Sequence, residues 1–506
     1  MEFLFQFREN LLVEEFFSEF LYPNRPCLIS NLTTDWNANE WCNDDKIHFD
    51  FLKSAFGELT VPVANCDAKE FNSNPKSEWL FKEYLSYWQH NTQLDLCRAI
   101  DSNKLNDSEN CSNVTSNNLY LKDWHFTRDV ISYSAYKTPL IFTSDWLNEF
   151  YSQKIDTRDD YKFVYMGTKG TWTPLHYDVF RSYSWSSNVV GTKMWILFPS
   201  GDEVCLKNIR GELVYNVMPV LKGSLAGKYV QNILNGNFDV NEHFREFSIN
   251  TEGFSQLKGS ELFIKENSPK IIRVVIILQR KGETIFVPSG WHHQVHNLDD
   301  VISVNHNWIN ACNVHEMWDN LSSELDRVKE SISDCIEMEG WHAQCQLILL
   351  SLAGMNYSMF CEFILIISLP RLLQMKLLSQ KNSELHYLIQ ILDHIIKYIS
   401  EFLIEQKEFK FHSNEQLSEY ISTFVPSPNN LDTYLPPYLS ISAPSLHKHI
   451  IFIFFELSRI LSVLKELIES KDFELYINNS ELFATMNAFF IDLTSIWTAD
   501  DNNNEN

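Results

Sequence analysis

The segment TPLHYDVF (173–180) sets an imidazole and a carboxylate two residues apart, at His176 and Asp178. In an extended chain, residues i and i+2 project to the same side, so the pair offers a metal two ligands on one face. Such a pair is weak evidence alone, since His48-Phe49-Asp50 repeats it in a chain with 16 histidines among 506 residues. A third ligand must come from elsewhere, and FVPSGWHHQVHNL (286–298) carries His292, His293 and His296. Strand alternation puts His293 with the apolar Trp291 and Val295, and puts His292 and His296 with Gln294 on the other face. One imidazole on an inward apolar face suits His293 as the third ligand; the outward pair reads equally well as surface decoration. Two histidines and a carboxylate leave three positions of an octahedral ion open, which suits non-haem Fe(II) used with dioxygen. Zinc hydrolases employ the same residue types through a helical His-Glu-x-x-His, a motif absent here.

Short strands must position these groups. Strand-like runs dominate from about 119 to 310: LYL (119–121), YKFVYMG (161–167), the 175–180 stretch, KMWILF (193–198), IIRVVIIL (271–278), TIFVP (284–288) and VISVNHNW (301–308). Many short strands divided by turns predict a sandwich or barrel. Upstream, NRPCLISNL (24–32) and LTVPVANC (59–66) read as strands, LFKEYLSYW (80–88) as a helix, and the Asn/Ser tract 101–118 as a loop. Beyond about 315 the period changes. Apolar residues recur every three or four positions in 385–403 and 450–467, the spacing of amphipathic or buried helices. The apolar run 346–369 contains Asn356 and Glu362 and reads as one buried helix rather than a membrane span. The expected organisation is an N-terminal flank (1–118), a catalytic β-domain (119–315), a helical region (316–498) and a disordered polar tail (499–506).

Composition limits the partners. The formal net charge of −25 opposes binding to a nucleic-acid backbone, which depends on clustered Lys and Arg. Ten scattered cysteines without a Cys-x-x-Cys fit idle thiols in a reducing compartment better than a zinc site or disulfide framework. The N-terminus lacks a basic segment before its apolar residues, so a secretory signal is not expected. A soluble, intracellular protein without a membrane partner is the expectation.

Two blocks of sequence then become specific. GTWTPLHYDVFRSYSW (170–185) followed by GTKMWILFP (191–199), and ETIFVPSGWHHQVHNLDD (283–300) followed by SVNHNW (303–308), resemble the two halves of a jumonji-C domain. That family comprises Fe(II)- and 2-oxoglutarate-dependent oxygenases. The phrases NRPCLISNLTTDW (24–36) and EFNSNPKSEWLFKEYLSYW (70–88) further resemble the flank of its cytoplasmic lysyl-hydroxylase branch, which acts on the translation release factor. His48 and Asp50 have no such context and are assigned to structure.

The resemblance implies a double-stranded β-helix (cupin or jelly-roll) core, mainly β with α, between an N-terminal α/β flank and an all-helical C-terminal region. It implies Fe(II) held by His176, Asp178 and His293, with 2-oxoglutarate as cosubstrate. The cosubstrate's far carboxylate would meet Lys193, since a charge-assisted bond from an ammonium is a strong one. Thr173 and Tyr120 match the family's hydroxyl donors, and Asn307 and Ser184 match positions near the iron. The implied activity is hydroxylation of a protein lysine, on a release factor. A histone-lysine demethylase and a catalytically idle scaffold are the alternatives, the last opposed by retention of all five principal residues. Such C-terminal helices often mediate dimerisation or substrate docking in the family; equally, they could brace the barrel. The connection between Asn208 and Lys281 is longer than the family's usual, and would restrict access if it covered the mouth.

Overall fold

A computed structural model describes residues 4–503, apart from 71–72, 103–117, 156–160, 209, 240, 252–261, 263–268, 382–384, 425–445, 472 and 478. Two sheets dominate. The larger has nine strands in the spatial order β1 (Gln6–Glu9), β2 (Cys27–Ser30), β14 (Glu283–Val287), β10 (Tyr183–Val190), β16 (Val301–Trp308), β8 (Lys162–Gly167), β7 (Leu119–Trp124), β5 (Thr60–Asn65) and β6 (Lys76–Leu80). The smaller has five, ordered β12 (Phe244–Asn250), β13 (Ile271–Gln279), β11 (Lys193–Phe198), β15 (His292–Asn297) and β9 (Trp172–His176). A separate short hairpin pairs β3 (Cys42–Asn43) with β4 (Lys46–Ile47). Neighbours are antiparallel except β1 and β2.

Alternation along the strands explains the layers. On β11, Trp195 and Leu197 join Val275, Ile277, Ile285 and Val287 between the two sheets, forming the interior of a jelly roll. Met194, Ile196 and Phe198 point the other way, against Val217, Val220, Leu221 and Val230 of the Asn208–Lys281 connection. That connection therefore covers the outer face of the small sheet, and none of its described residues lines the cavity at the mouth. The face expected at the surface is enclosed: His292 is 4% exposed, against Tyr177 and Glu203, and Gln294 Oε1 accepts from the Val217 amide of the connection at 2.9 Å. His296 lies in the same layer, stacked on Trp172. A sheet covered on both faces leaves no outward side to decorate.

The expected strands at 24–32 and 59–66 are β2 and β5, and the helix at 80–88 is the start of Phe81–Ser102. The large sheet does not begin at residue 119, because β1, β2, β5 and β6 from the first 118 residues hydrogen-bond into it. The loop expected at 101–118 lies mostly outside the described residues.

Beyond Asn313 the described chain is helical. The apolar run expected as one helix is two, Trp341–Ala353 and Tyr357–Lys381, separated at Gly354 (φ +73°). Glycine takes this left-handed conformation without a Cβ clash, ending the first helix. Asn356 Oδ1 then accepts from the Met359 amide at 3.0 Å and starts the second. A stretch of that second helix is long and apolar enough to cross a membrane, and 72% of it is buried inside the protein. The final helix, Ser480–Asn503, runs through most of the tail expected to be disordered. Extending an established helix costs far less than nucleating one, so a polar end continues it.

A buried ion cluster ties the helices to the jelly roll. Arg371 on Tyr357–Lys381 donates to Glu149 on the helix Trp146–Tyr151 at 2.5 and 3.0 Å, and to Glu456 on Leu446–Glu469 at 3.3 Å. Lys154 pairs with Glu362 at 2.6 Å and Glu408 at 2.8 Å. These helices brace the barrel.

Candidate active site

His176 closes β9 and His293 sits on β15, and the two are direct cross-strand partners. Their rings lie 4.3 Å apart. Asp178 lies just past β9 yet keeps an extended backbone (φ −69°, ψ 150°), so the two-residue alternation persists beyond the strand. The chain then turns sharply through Phe180 (φ +59°) and Arg181 (φ +49°). Left-handed backbone is unfavourable outside glycine, and surrounding contacts hold it here. Ser289 Oγ donates to the Arg181 carbonyl, and the Arg181 side chain reaches Ser200 at 3.3 Å and Glu316 at 3.4 Å.

One ligand atom from each of His176, Asp178 and His293 lies within 4.8 Å of the others, the one such group among the described residues. The surroundings fit a metal. Each imidazole directs Nδ1 at a backbone carbonyl, His176 to Pro174 at 2.8 Å and His293 to Trp291 at 3.3 Å. With Nδ1 as donor, Nε2 is left as the free lone pair, the usual outer-shell device of metal-binding histidines. Burial and the neighbouring His293 push the His176 pKa down to about 3, which keeps the ring in the neutral form a ligand requires. Ser184 Oγ donates to Asp178 Oδ2 at 2.6 Å and fixes the carboxylate. His48, by contrast, meets the Glu40 carbonyl at 3.3 Å ahead of the helix Phe49–Phe56, a structural setting.

The triad opens into a cavity of about 1620 Å³. Lys193 lies within it, its ammonium donating to Ser303 Oγ at 2.6 Å, with the Tyr165 and Trp195 rings at 5.6 and 5.8 Å. Burial pulls its pKa down to about 7. Thr173, Tyr120, Ser184 and Asn307 line the same cavity. Tyr120 packs on Gly167, where an added Cβ would stand 2.5 Å from its ring, so only glycine admits the tyrosine. Asn307 donates to Ser182 Oγ at 3.1 Å. All the residues singled out in the sequence as site candidates thus converge on one cavity.

Three further residues were missed. Ser303 and Asn305 share a face of β16 with Asn307, as alternate polar positions in an apolar strand. Lys122 shares the face of Tyr120 on β7 and also lines the cavity. Strand parity was the available signal for each. The opposite wall is helical: Asn320, Glu324, Leu350 and Gly354 contribute, and Tyr177 donates to Asn320 at 3.2 Å.

A jelly roll that gathers two imidazoles and a carboxylate inside its mouth is cupin architecture. Residues 13–313 match the family model described as a cupin-like domain. The chain is 40% identical over 368 residues to the 2-oxoglutarate and iron-dependent oxygenase JMJD4 of Gallus gallus, covering 72% of this chain and 74% of that one. It is 39% identical to the Homo sapiens protein of the same name (72% and 75% covered). It is 34% identical to the Arginine-specific demethylase JMJ20 of Arabidopsis thaliana (75% and 72% covered). The chain belongs to the jumonji-C group of the cupin-like domain family.

The contact between Ser184 and Asp178 carries a prediction. Ser184→Ala is expected to weaken Mn(II) affinity roughly ten-fold, the effect of losing an outer-shell partner. Titration followed by manganese paramagnetic resonance reads it, and unchanged affinity removes Ser184 from the site.

Proposed function

We propose that the protein is an Fe(II)- and 2-oxoglutarate-dependent oxygenase that hydroxylates a lysine of a protein substrate, the translation release factor, in the cytoplasm. The observation that carries the oxygenase reading is the cross-strand His293–His176 pair with Asp178 beside it, opening on a cavity that also holds Lys193. The names of the JMJD4 relatives support iron and 2-oxoglutarate as its cofactors. The lysine and release-factor assignments rest on the sequence resemblance. A cavity of about 1620 Å³ exceeds the roughly 300–1,000 Å³ of ordinary small-molecule pockets, leaving room for a segment of another protein.

In this reading His176, Asp178 and His293 hold the metal by one face. Bound iron and 2-oxoglutarate supply the oxidant, one atom of dioxygen ending in succinate and the other in the product. The protein's own work is placement and exclusion of water. Lys193 takes the far carboxylate of the cosubstrate, and Thr173 and Tyr120 add hydroxyl donors. Trp195 and Val295 wall the site with apolar surface. Asn307 lies close by and keeps the floor of the site in shape through Ser182.

Lys193 gives the reading a pH signature. Only its protonated form pairs with a carboxylate, and burial pulls its pKa down to about 7. Affinity of Mn(II)-loaded protein for 2-oxoglutarate is expected to be level below about pH 7 and to fall above it, by up to about ten-fold per unit. Calorimetry across that range checks this, with Lys193→Met as the reference that abolishes the slope. A wild-type profile parallel to the variant's would discard the assignment.

The second reading is demethylation, favoured by the name of the Arabidopsis thaliana relative. Both readings answer to one assay. Protein reconstituted anaerobically with Fe(II) is given 2-oxoglutarate, oxygen and a panel of release-factor, methyl-lysine and methyl-arginine peptides. A gain of one oxygen on a lysine of the release-factor peptide is the expected result. Formaldehyde released from a methylated peptide would transfer the assignment to demethylation. Metal binding with no succinate formed under any condition would overturn both.

A further inference from the structure

We propose that Lys122 is a second carboxylate-binding cation of the active-site cavity, acting beside Lys193 on the cosubstrate or on an acidic side chain of the protein substrate. The proposal rests on the oxygenase reading and extends it. Lys122 stands on β7 two residues after Tyr120, and both line the cavity. It keeps partial exposure through the mouth. Protein nevertheless surrounds its ammonium closely enough for desolvation to lower its pKa, and its charge reaches both His176 and Lys193.

No acceptor among the described residues hydrogen-bonds this ammonium. Asp123, next in sequence, eases the charge at a distance, but its carboxylate is engaged elsewhere. It accepts from Lys76 and, at 2.6 Å, from the Tyr165 hydroxyl. Lys193 likewise has no carboxylate partner among the described residues, its acceptor being Ser303 Oγ. Two enclosed ammonium groups thus flank a triad whose one carboxylate, Asp178, is bound to Ser184.

Enclosing like charges with no carboxylate bonded to either is costly, and a divalent metal in the triad adds to the positive charge. A dianion relieves it: 2-oxoglutarate is one, and its far carboxylate can accept from both ammonium groups. An acidic residue flanking the target lysine offers the same chemistry from the substrate side. The two sources are separable by experiment.

The test compares wild type, Lys122→Met and Lys122→Arg as full-length chains loaded with Mn(II), using calorimetric titration with 2-oxoglutarate. Methionine keeps the length and removes the charge; arginine keeps the charge. Thermal melting and Mn(II) affinity report whether each variant folds and holds metal. A ten-fold or greater loss of 2-oxoglutarate affinity in the methionine variant, restored to within about three-fold by arginine, supports the cosubstrate as the source. Unchanged 2-oxoglutarate affinity, with a ten-fold loss only for a lysine peptide flanked by glutamates and not for its glutamine counterpart, supports the protein substrate. If both affinities stay within two-fold of wild type, the proposal is overturned. Failure of the oxygenase reading looks different: wild type itself then binds Mn(II) but not 2-oxoglutarate.

Discussion

Asp178→Ala is expected to lose its divalent metal and to lower 2-oxoglutarate turnover by roughly a thousand-fold, equivalent to about 4 kcal/mol of lost stabilisation. The size follows from the local charge balance. Asp178 is the one carboxylate of the triad, while the two imidazoles are neutral ligands. Without it the metal would keep two neutral nitrogen ligands but no negative one, with the cations Lys193 and Lys122 lining the same cavity. Ser184 loses its acceptor in the same step. Asp178→Asn separates charge from shape, because the amide oxygen still accepts from Ser184. The asparagine variant is expected to lie much nearer to alanine than to wild type. Anaerobic Fe(II) titration and succinate release measure both, and an alanine variant that retained metal within ten-fold of wild type would remove Asp178 from the ligand set.

The second large effect is structural. Arg371→Met is expected to destabilise the protein by about 3–5 kcal/mol, the range seen when one partner of a buried ion pair is removed. The guanidinium is almost fully buried, holds Glu149 through both of its terminal nitrogens, and lies 4.8 Å from the Trp146 ring. Burial raises the pKa of Glu456, and Arg371 opposes that rise. Removing the arginine leaves two enclosed carboxylates without a counter-charge. Arg371→Met combined with Glu149→Gln and Glu456→Gln is expected to recover part of the loss, because the stranded charges go with it. Urea unfolding reads both, and a single variant within 1 kcal/mol of wild type would contradict the account. The arginine's helix also follows directly from the turn at Gly354, so the same variant is expected to loosen the helical wall of the cavity.

The grouping of the candidate triad was legible because strand alternation is local. It placed His176 with Asp178, and His293 with Trp291 and Val295, without knowledge of the fold. The same rule implied Ser303 and Lys122, but nothing local says which face of β16 or β7 looks into a cavity. His292 and His296 were misread for a related reason. Alternation identified their face correctly, yet a polar face reads as exposed unless a distant segment covers it, and that segment lies across the Asn208–Lys281 connection. The break at Gly354 was visible as a residue and overridden by the apolar run around it. The helical wall was beyond reach, because amphipathic spacing reports that a face is buried and not what it meets.

The position of β9 has a consequence for dynamics. It is the edge strand of the five-stranded sheet, with β15 on one side and, on the other, a hydrogen bond from the Leu175 amide to the Tyr215 carbonyl. Edge strands open more readily than central ones, and their amides exchange with solvent through such local opening. A metal held by both His176 and His293 staples this edge to its neighbour, and opening the strand must then release the ion. Ion occupancy thus acts as a thermodynamic latch on one strand. Its mark is slowed hydrogen exchange confined to β9 and β15, with β12 at the far edge of the same sheet unchanged.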